Sequence, residues 1–150
     1  MKIPIPPSIL INTIVTPCVC HFKDKRHRPE GPPHFYVIIP VNAATDLVLT
    51  MITSQIASTT AYYSNNPDAY ASLVAAGKSD LPFLPVDPSL INCNNVELVA
   101  KVELLKRCAP AHGFEMKTPT VPDKLKDRII TAINNSPVVK PIIKKLLAGL

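Results

Sequence analysis

A chain of 150 residues is long enough to bury a real core, and with 47% hydrophobic residues wholesale disorder is excluded. Seventeen prolines against four glycines exclude an architecture of long helices, because proline lacks an amide donor and breaks helices. The net charge of +5 sits at the ends: residues 1–34 carry +3, residues 35–108 carry −2 and residues 123–150 carry +4, which suits a polyanion or an acidic partner.

Residues 1–11 are proline-rich and apolar and predict an extended arm. Lys2 is followed by Pro4, Pro6 and Pro7, and Asn12 and Thr13 interrupt the apolar run 9–15. That is not the pattern of a secretory signal, so a cytoplasmic protein with reduced Cys18, Cys20, Cys93 and Cys108 is expected. No run reaches the length of a membrane helix, and no membrane partner is expected. Residues 12–21 have strand composition broken by Pro17, as at a sheet edge. Cys18, Cys20 and His21 are zinc-type ligands, but no second pair follows at ligand spacing. No metal and no other cofactor is therefore expected. Residues 21–31 hold Lys23, Lys25, Arg26, His27 and Arg28. They predict an exposed loop, either a solvated charged turn or a grip for phosphate.

The stretch 34–55 organises the rest. Residues 35–39 form an unbroken run of aromatic and β-branched side chains, a buried strand that Pro40 should end. Residues 47–53 alternate, with Leu47, Leu49, Met51 and Thr53 on one face and Val48, Thr50 and Ile52 on the other. A short turn between two antiparallel strands brings His34 beside Thr53, Ser54 and Gln55. Beyond them, 57–80 reads as an insertion in which 69–76 predicts two helical turns capped by Asp68. Tyr62, Tyr63 and Tyr70 fit either base stacking or loop packing. Residues 81–86 read as extended. Residues 90–93 and 96–100 read as two strands about an Asn94-Asn95 turn, or as one bulged strand, followed by a helical turn over 103–108; a helix over 96–107 competes, since the apolar residues there do not settle the period. Residues 109–121 read as a loop. Residues 122–135 predict the clearest helix, with Leu125, Ile129, Ala132 and Ile133 in one stripe. A short helix over 141–147 turns Lys144 and Lys145 outward.

These elements predict a mainly β (β+α) fold: a small β-barrel with C-terminal helices. The expected organisation is one domain, with an N-terminal arm (1–11), a barrel core (12–108) and a helical C-terminal extension (109–150). There is no GxGxxG, P-loop, GxSxG or HExxH pattern, so readings as a nucleotide fold, serine hydrolase or zinc protease lose their usual support.

Three segments carry a family resemblance: 31–39 (GPPHFYVII), 51–56 (MITSQI) and 87–99 (DPSLINCNNVELV) with 101–107 behind it. In this order they resemble the PemK/MazF-like toxins, ribonucleases of toxin–antitoxin systems. The resemblance implies an SH3-like barrel and metal-independent cleavage of single-stranded RNA. It also implies a homodimer and a small antitoxin partner. The family's arginine falls on His34 and its threonine on Thr53, while the chain's own Arg-Pro pair is Arg28-Pro29. Mapped onto the residues here, His34, Thr53 and Arg28 are the candidate catalytic groups, with Lys23, Lys25, Arg26, Ser54 and Gln55 as RNA contacts. Histidine suits proton transfer at neutral pH, and arginine suits a phosphorane's charge. The alternative is a non-catalytic module that binds protein or nucleic acid.

Overall fold

The computed structural model of the chain describes residues 5–26, 31–108 and 113–150. Its centre is a six-stranded antiparallel sheet: β1 (Cys18–Phe22), β2 (His34–Val41), β3 (Asp46–Thr53), β4 (Leu73–Ala76), β5 (Ser89–Ala100) and β6 (Phe114–Thr118). The spatial order is β4-β5-β3-β2-β1-β6. The helices are α1 (Pro7–Asn12), α2 (Ile56–Tyr62), α3 (Pro67–Tyr70), α4 (Lys101–Arg107), α5 (Asp123–Asn135) and α6 (Pro141–Ala148). Among the described residues none of these helices is long and apolar enough to cross a membrane.

The sheet does not close into the expected barrel. It is open, with β4 and β6 at its edges, and helices cover both faces. One face carries Val19, Val37, Ile39, Val48, Ile52, Ile91 and Cys93 against Leu125, Ile129 and Ile133 of α5 and Ile143 and Leu147 of α6. The other carries Cys18, Cys20, Phe22, Tyr36, Ile38, Leu47 and Leu49 against Ile11 of α1 and Leu104 of α4. Burial on both faces explains why β2 is apolar without alternation. The two predicted faces of β3 fall as expected, with Leu47, Leu49 and Met51 on one side and Val48 and Ile52 on the other.

Several elements differ from expectation. The described part of the predicted arm contains α1, whose first residue, Pro7, supplies the preset φ that opens a helix. Strand β2 runs through Pro40 to Val41. Pairing with β1 stops at Ile38, so at Pro40 only β3 lies alongside, locally an edge position that proline tolerates. Residues 73–76 form the edge strand β4 rather than helix. Helix α3 is capped by the Asn66 side chain, which accepts from the amide of Ala69 at 3.2 Å. Of the two strand readings of 90–100, the single bulged strand holds rather than the Asn94-Asn95 turn: β5 is one strand whose register against β3 shifts between Thr50 and Ile52. Part of the predicted loop 109–121 is β6, paired with β1. Lys144 is not directed outward; its ammonium donates to the Ser136 carbonyl at 2.6 Å and ties α6 to the end of α5.

Candidate functional site

Two cavities lie near the end of the sheet where β2 begins and β3 ends. The first, of about 350 Å³, is lined by His21, His34, Thr53, Ser54 and Gln55 among others. The antiparallel register builds it. Phe35 pairs with Ile52 on one side and with His21 on the other, which brings the start of β2, the end of β1 and the end of β3 together. The hairpin thus brings His34 to the Thr53-Ser54-Gln55 segment, as its geometry predicts.

Inside this cavity the hydroxyl of Thr53 accepts from the Gln55 amide at 3.0 Å, so its proton remains for an acceptor such as a phosphate oxygen. The His34 ring stands edge-on to Tyr36, centroids 6.5 Å apart. His21, singled out in the sequence only as a zinc-type ligand, lies against Phe35 at 4.5 Å. Burial is the largest influence on the His21 imidazole and holds its pKa below the ordinary value, with Glu115 working the other way. At neutral pH His21 is therefore the uncharged base. The zinc reading fails on strand alternation: Cys18 and Cys20 face the α1/α4 side, whereas His21 packs on Phe35 at the opposite face. The four cysteines are buried in the core.

The loop cations do not behave as one exposed grip. Lys23 is 2% exposed and Asp24 1% exposed, because Asp24 bridges to Cys108 and extends the sheet's hydrogen bonding. Lys25 is exposed. Arg26 is drawn away into ion pairs with Asp24 at 3.1 Å and Glu97 at 3.0 Å. Arg28 and His27 lie outside the described residues.

The second cavity, of about 160 Å³, is built on that ion-pair network, which sequence reasoning missed altogether. Arg107, at the end of α4, reaches Asp24 at 2.6 Å and also binds Glu97 on β5. Burial presses the Asp24 carboxyl upward, but hydrogen bonds from Arg107 and Arg26 outweigh it and hold the pKa at about 2. Beside the network, on β2, the hydroxyl of Tyr36 is buried with no hydrogen-bond partner among the described residues. No local signal pairs Asp24 with Arg107, which lies 83 positions further along the chain.

Comparison with family models, curated proteins and solved structures gives no match to this chain.

Proposed function

We propose that the larger cavity binds single-stranded RNA and cleaves it without a metal, in the manner of a toxin-like endoribonuclease. The observation that supports this is that His21 and His34, set on opposite faces of the sheet by strand alternation, both line one cavity at its end together with Thr53 and Ser54. His21, uncharged at neutral pH, takes the proton of the ribose 2′-hydroxyl as that oxygen attacks phosphorus. The new P–O2′ bond forms as the P–O5′ bond breaks, and His34 gives a proton to the departing 5′-oxygen. The Thr53 hydroxyl and the Gln55 side chain hydrogen-bond the phosphate oxygens, and Lys25 and Arg28 lend positive charge from the preceding loop. The resemblance to PemK/MazF-like toxins adds a homodimer, a cytoplasmic setting and a small antitoxin that silences the site.

A second reading, a non-catalytic module binding nucleic acid or protein, is favoured by one observation. Of the loop cations assigned to phosphate, Lys23 is buried and Arg26 is bound to two carboxylates. The experiment that separates the readings uses purified protein, a long single-stranded RNA and EDTA throughout. His21→Ala and His34→Ala should each slow cleavage on the order of a hundredfold, with the far-ultraviolet circular dichroism of the wild type retained. Cleavage that survives both substitutions, or that EDTA abolishes, would place the chemistry elsewhere. RNA retained without cleavage by the wild type would favour the module.

A further inference from the structure

We infer that the outer edge of β6 is a homodimer surface, on which a second copy of the chain lays its own β6 antiparallel about a twofold axis at Met116. The inference names the surface for the homodimer of the proposed function and rests on that reading only for the expectation of two copies. The two edges of the sheet differ. At β4, the Cys93 amide donates to the Ser72 carbonyl at 3.2 Å, so by strand alternation Ala75 turns its carbonyl outward. There Arg128 of α5 donates to it at 3.2 Å, and a side chain of the same molecule takes up part of that edge. Strand β6 is paired with β1 alone among the described strands. Such an edge presents a row of amides and carbonyls suited to pairing with another strand.

The sequence of β6 fixes how two copies meet. Gly113 precedes the strand with φ of 68°, and Pro119 follows it with no amide to donate. The pairing strand is therefore the five residues Phe114–Thr118. An antiparallel pair that uses all five is centred on Met116 and sets residue 115 of each copy opposite residue 117 of the other. Those residues are Glu115 and Lys117, so a carboxylate meets an ammonium on both sides of the axis. Directly opposed unlike charges favour pairing and like charges disfavour it. Moving the axis to residue 115 or to residue 117 would set like charges against each other. A lysine on an edge ordinarily keeps other strands away; in this register it attracts a copy of its own strand.

The side chains are placed for this contact. Glu115 and Lys117 lie on one face of β6, bridged at 2.8 Å, and the Glu115 side chain is 59% exposed, with room for a second ammonium. Phe114 and Met116 turn to the other face, into the core beneath α1 and α4. His21 stands in register with Glu115 on β1. With neighbouring strands about 4.8 Å apart, the two copies of β1 lie roughly 14 Å apart across the axis, and both His21 residues share one face of a continuous sheet. One five-residue strand covers less area than the roughly 1,200–2,000 Å² of a stable complex, so the dimer is a reversible one.

The test is sedimentation velocity of the full chain over a range of concentrations. A monomer–dimer equilibrium with a dissociation constant of about 10–100 µM is expected. Glu115→Lys and Lys117→Glu each set like charges across the axis, and each should weaken the dimer on the order of tenfold or more, with the far-ultraviolet circular dichroism of the wild type retained. An equal mixture of the two variants should dimerise again, because one chain then brings two lysines and the other two glutamates. Both substitutions in one chain exchange the charges and should restore the dimer as well, which reads the register even where a single variant fails to fold. A wild type monomeric throughout, a dimer indifferent to both substitutions, or no recovery in either the mixture or the double variant would overturn the β6 surface. RNA cleavage by a chain that stays monomeric would also overturn it and keep the histidine chemistry. A dimer with the expected charge dependence that leaves RNA intact would keep the β6 surface and reject that chemistry.

Discussion

Asp24 shows how one buried charge organises its surroundings. It is almost fully enclosed, and Arg107, itself only 11% exposed, is its main partner. Removing one member of such a pair leaves the other buried and uncompensated, so Arg107→Met should cost about 3–5 kcal/mol in chemical denaturation. Replacing Asp24 by Leu in the same chain should recover much of that loss, because no buried charge is then left unpaired. A double variant as unstable as the single one would instead assign the loss to α4. The sign of the pH dependence follows from the lowered pKa. The Asp24 carboxylate stabilises the fold at any pH above its ordinary value near 4. That contribution, about 2 kcal/mol, is lost as pH falls towards about 2. Urea midpoints between pH 5 and pH 2 should therefore fall more steeply for the wild type than for Asp24→Asn. His21 moves the other way: its pKa lies below the ordinary histidine value, so cleavage should rise with pH through a midpoint below about 6.5. A rate that is flat across that range would remove His21 as the base.

The elements show where sequence alone suffices and where it fails. The α5 stripe of Leu125, Ile129, Ala132 and Ile133 is buried as its spacing predicts, because the amphipathic period is local information. The faces of β3 are legible for the same reason. Strands β4 and β6 are not, since Leu73–Ala76 has good helix formers and both strands owe their state to the neighbour that completes their hydrogen bonds. The β2–β3 turn carries information of another kind: Asn42, Ala43 and Ala44 have φ of 50°, 56° and 66°. Asn42 is helped by its side chain, which donates to Asp46 at 2.7 Å, and asparagine tolerates this region. The two alanines have no such help and each stands in a conformation costing roughly 1–2 kcal/mol. Glycine removes that cost and gives back part of the gain through the freedom of the unfolded chain. Ala43→Gly should therefore raise stability by about 0.5–1 kcal/mol, a melting temperature a few degrees higher by calorimetry. A lower melting temperature would show that the methyl group contributes packing worth more than the strain.

At the scale of the whole molecule, the difference between a barrel with appended helices and a sheet covered on both faces decides what the C-terminal third does. The unbroken apolar run of β2 held the clue: a strand with one solvated face alternates, and this one does not. The sequence gives the period of α5 but not the surface that it covers, and the His34–Thr53 juxtaposition was legible because a hairpin is local. The Asp24–Arg107–Glu97 network was not, because it joins three distant segments. In the structure α5 and α6 seal one side of the sheet, with Leu125, Ile129, Ile133, Ile143 and Leu147 packed against Val19, Val37, Ile39, Val48 and Ile91. Were these helices an appendage, a chain ending at residue 121 would keep its strands and unfold cooperatively. If they form half of the core, that truncation uncovers a whole apolar face, far more area than marginal stability tolerates. The truncated chain should then lose its cooperative urea transition, bind a hydrophobic dye and aggregate, and Ile129→Ala in the full chain should already cost about 2–5 kcal/mol. A sharp urea transition for residues 1–121, at a midpoint near that of the full chain, would return α5 and α6 to the standing of an appendage.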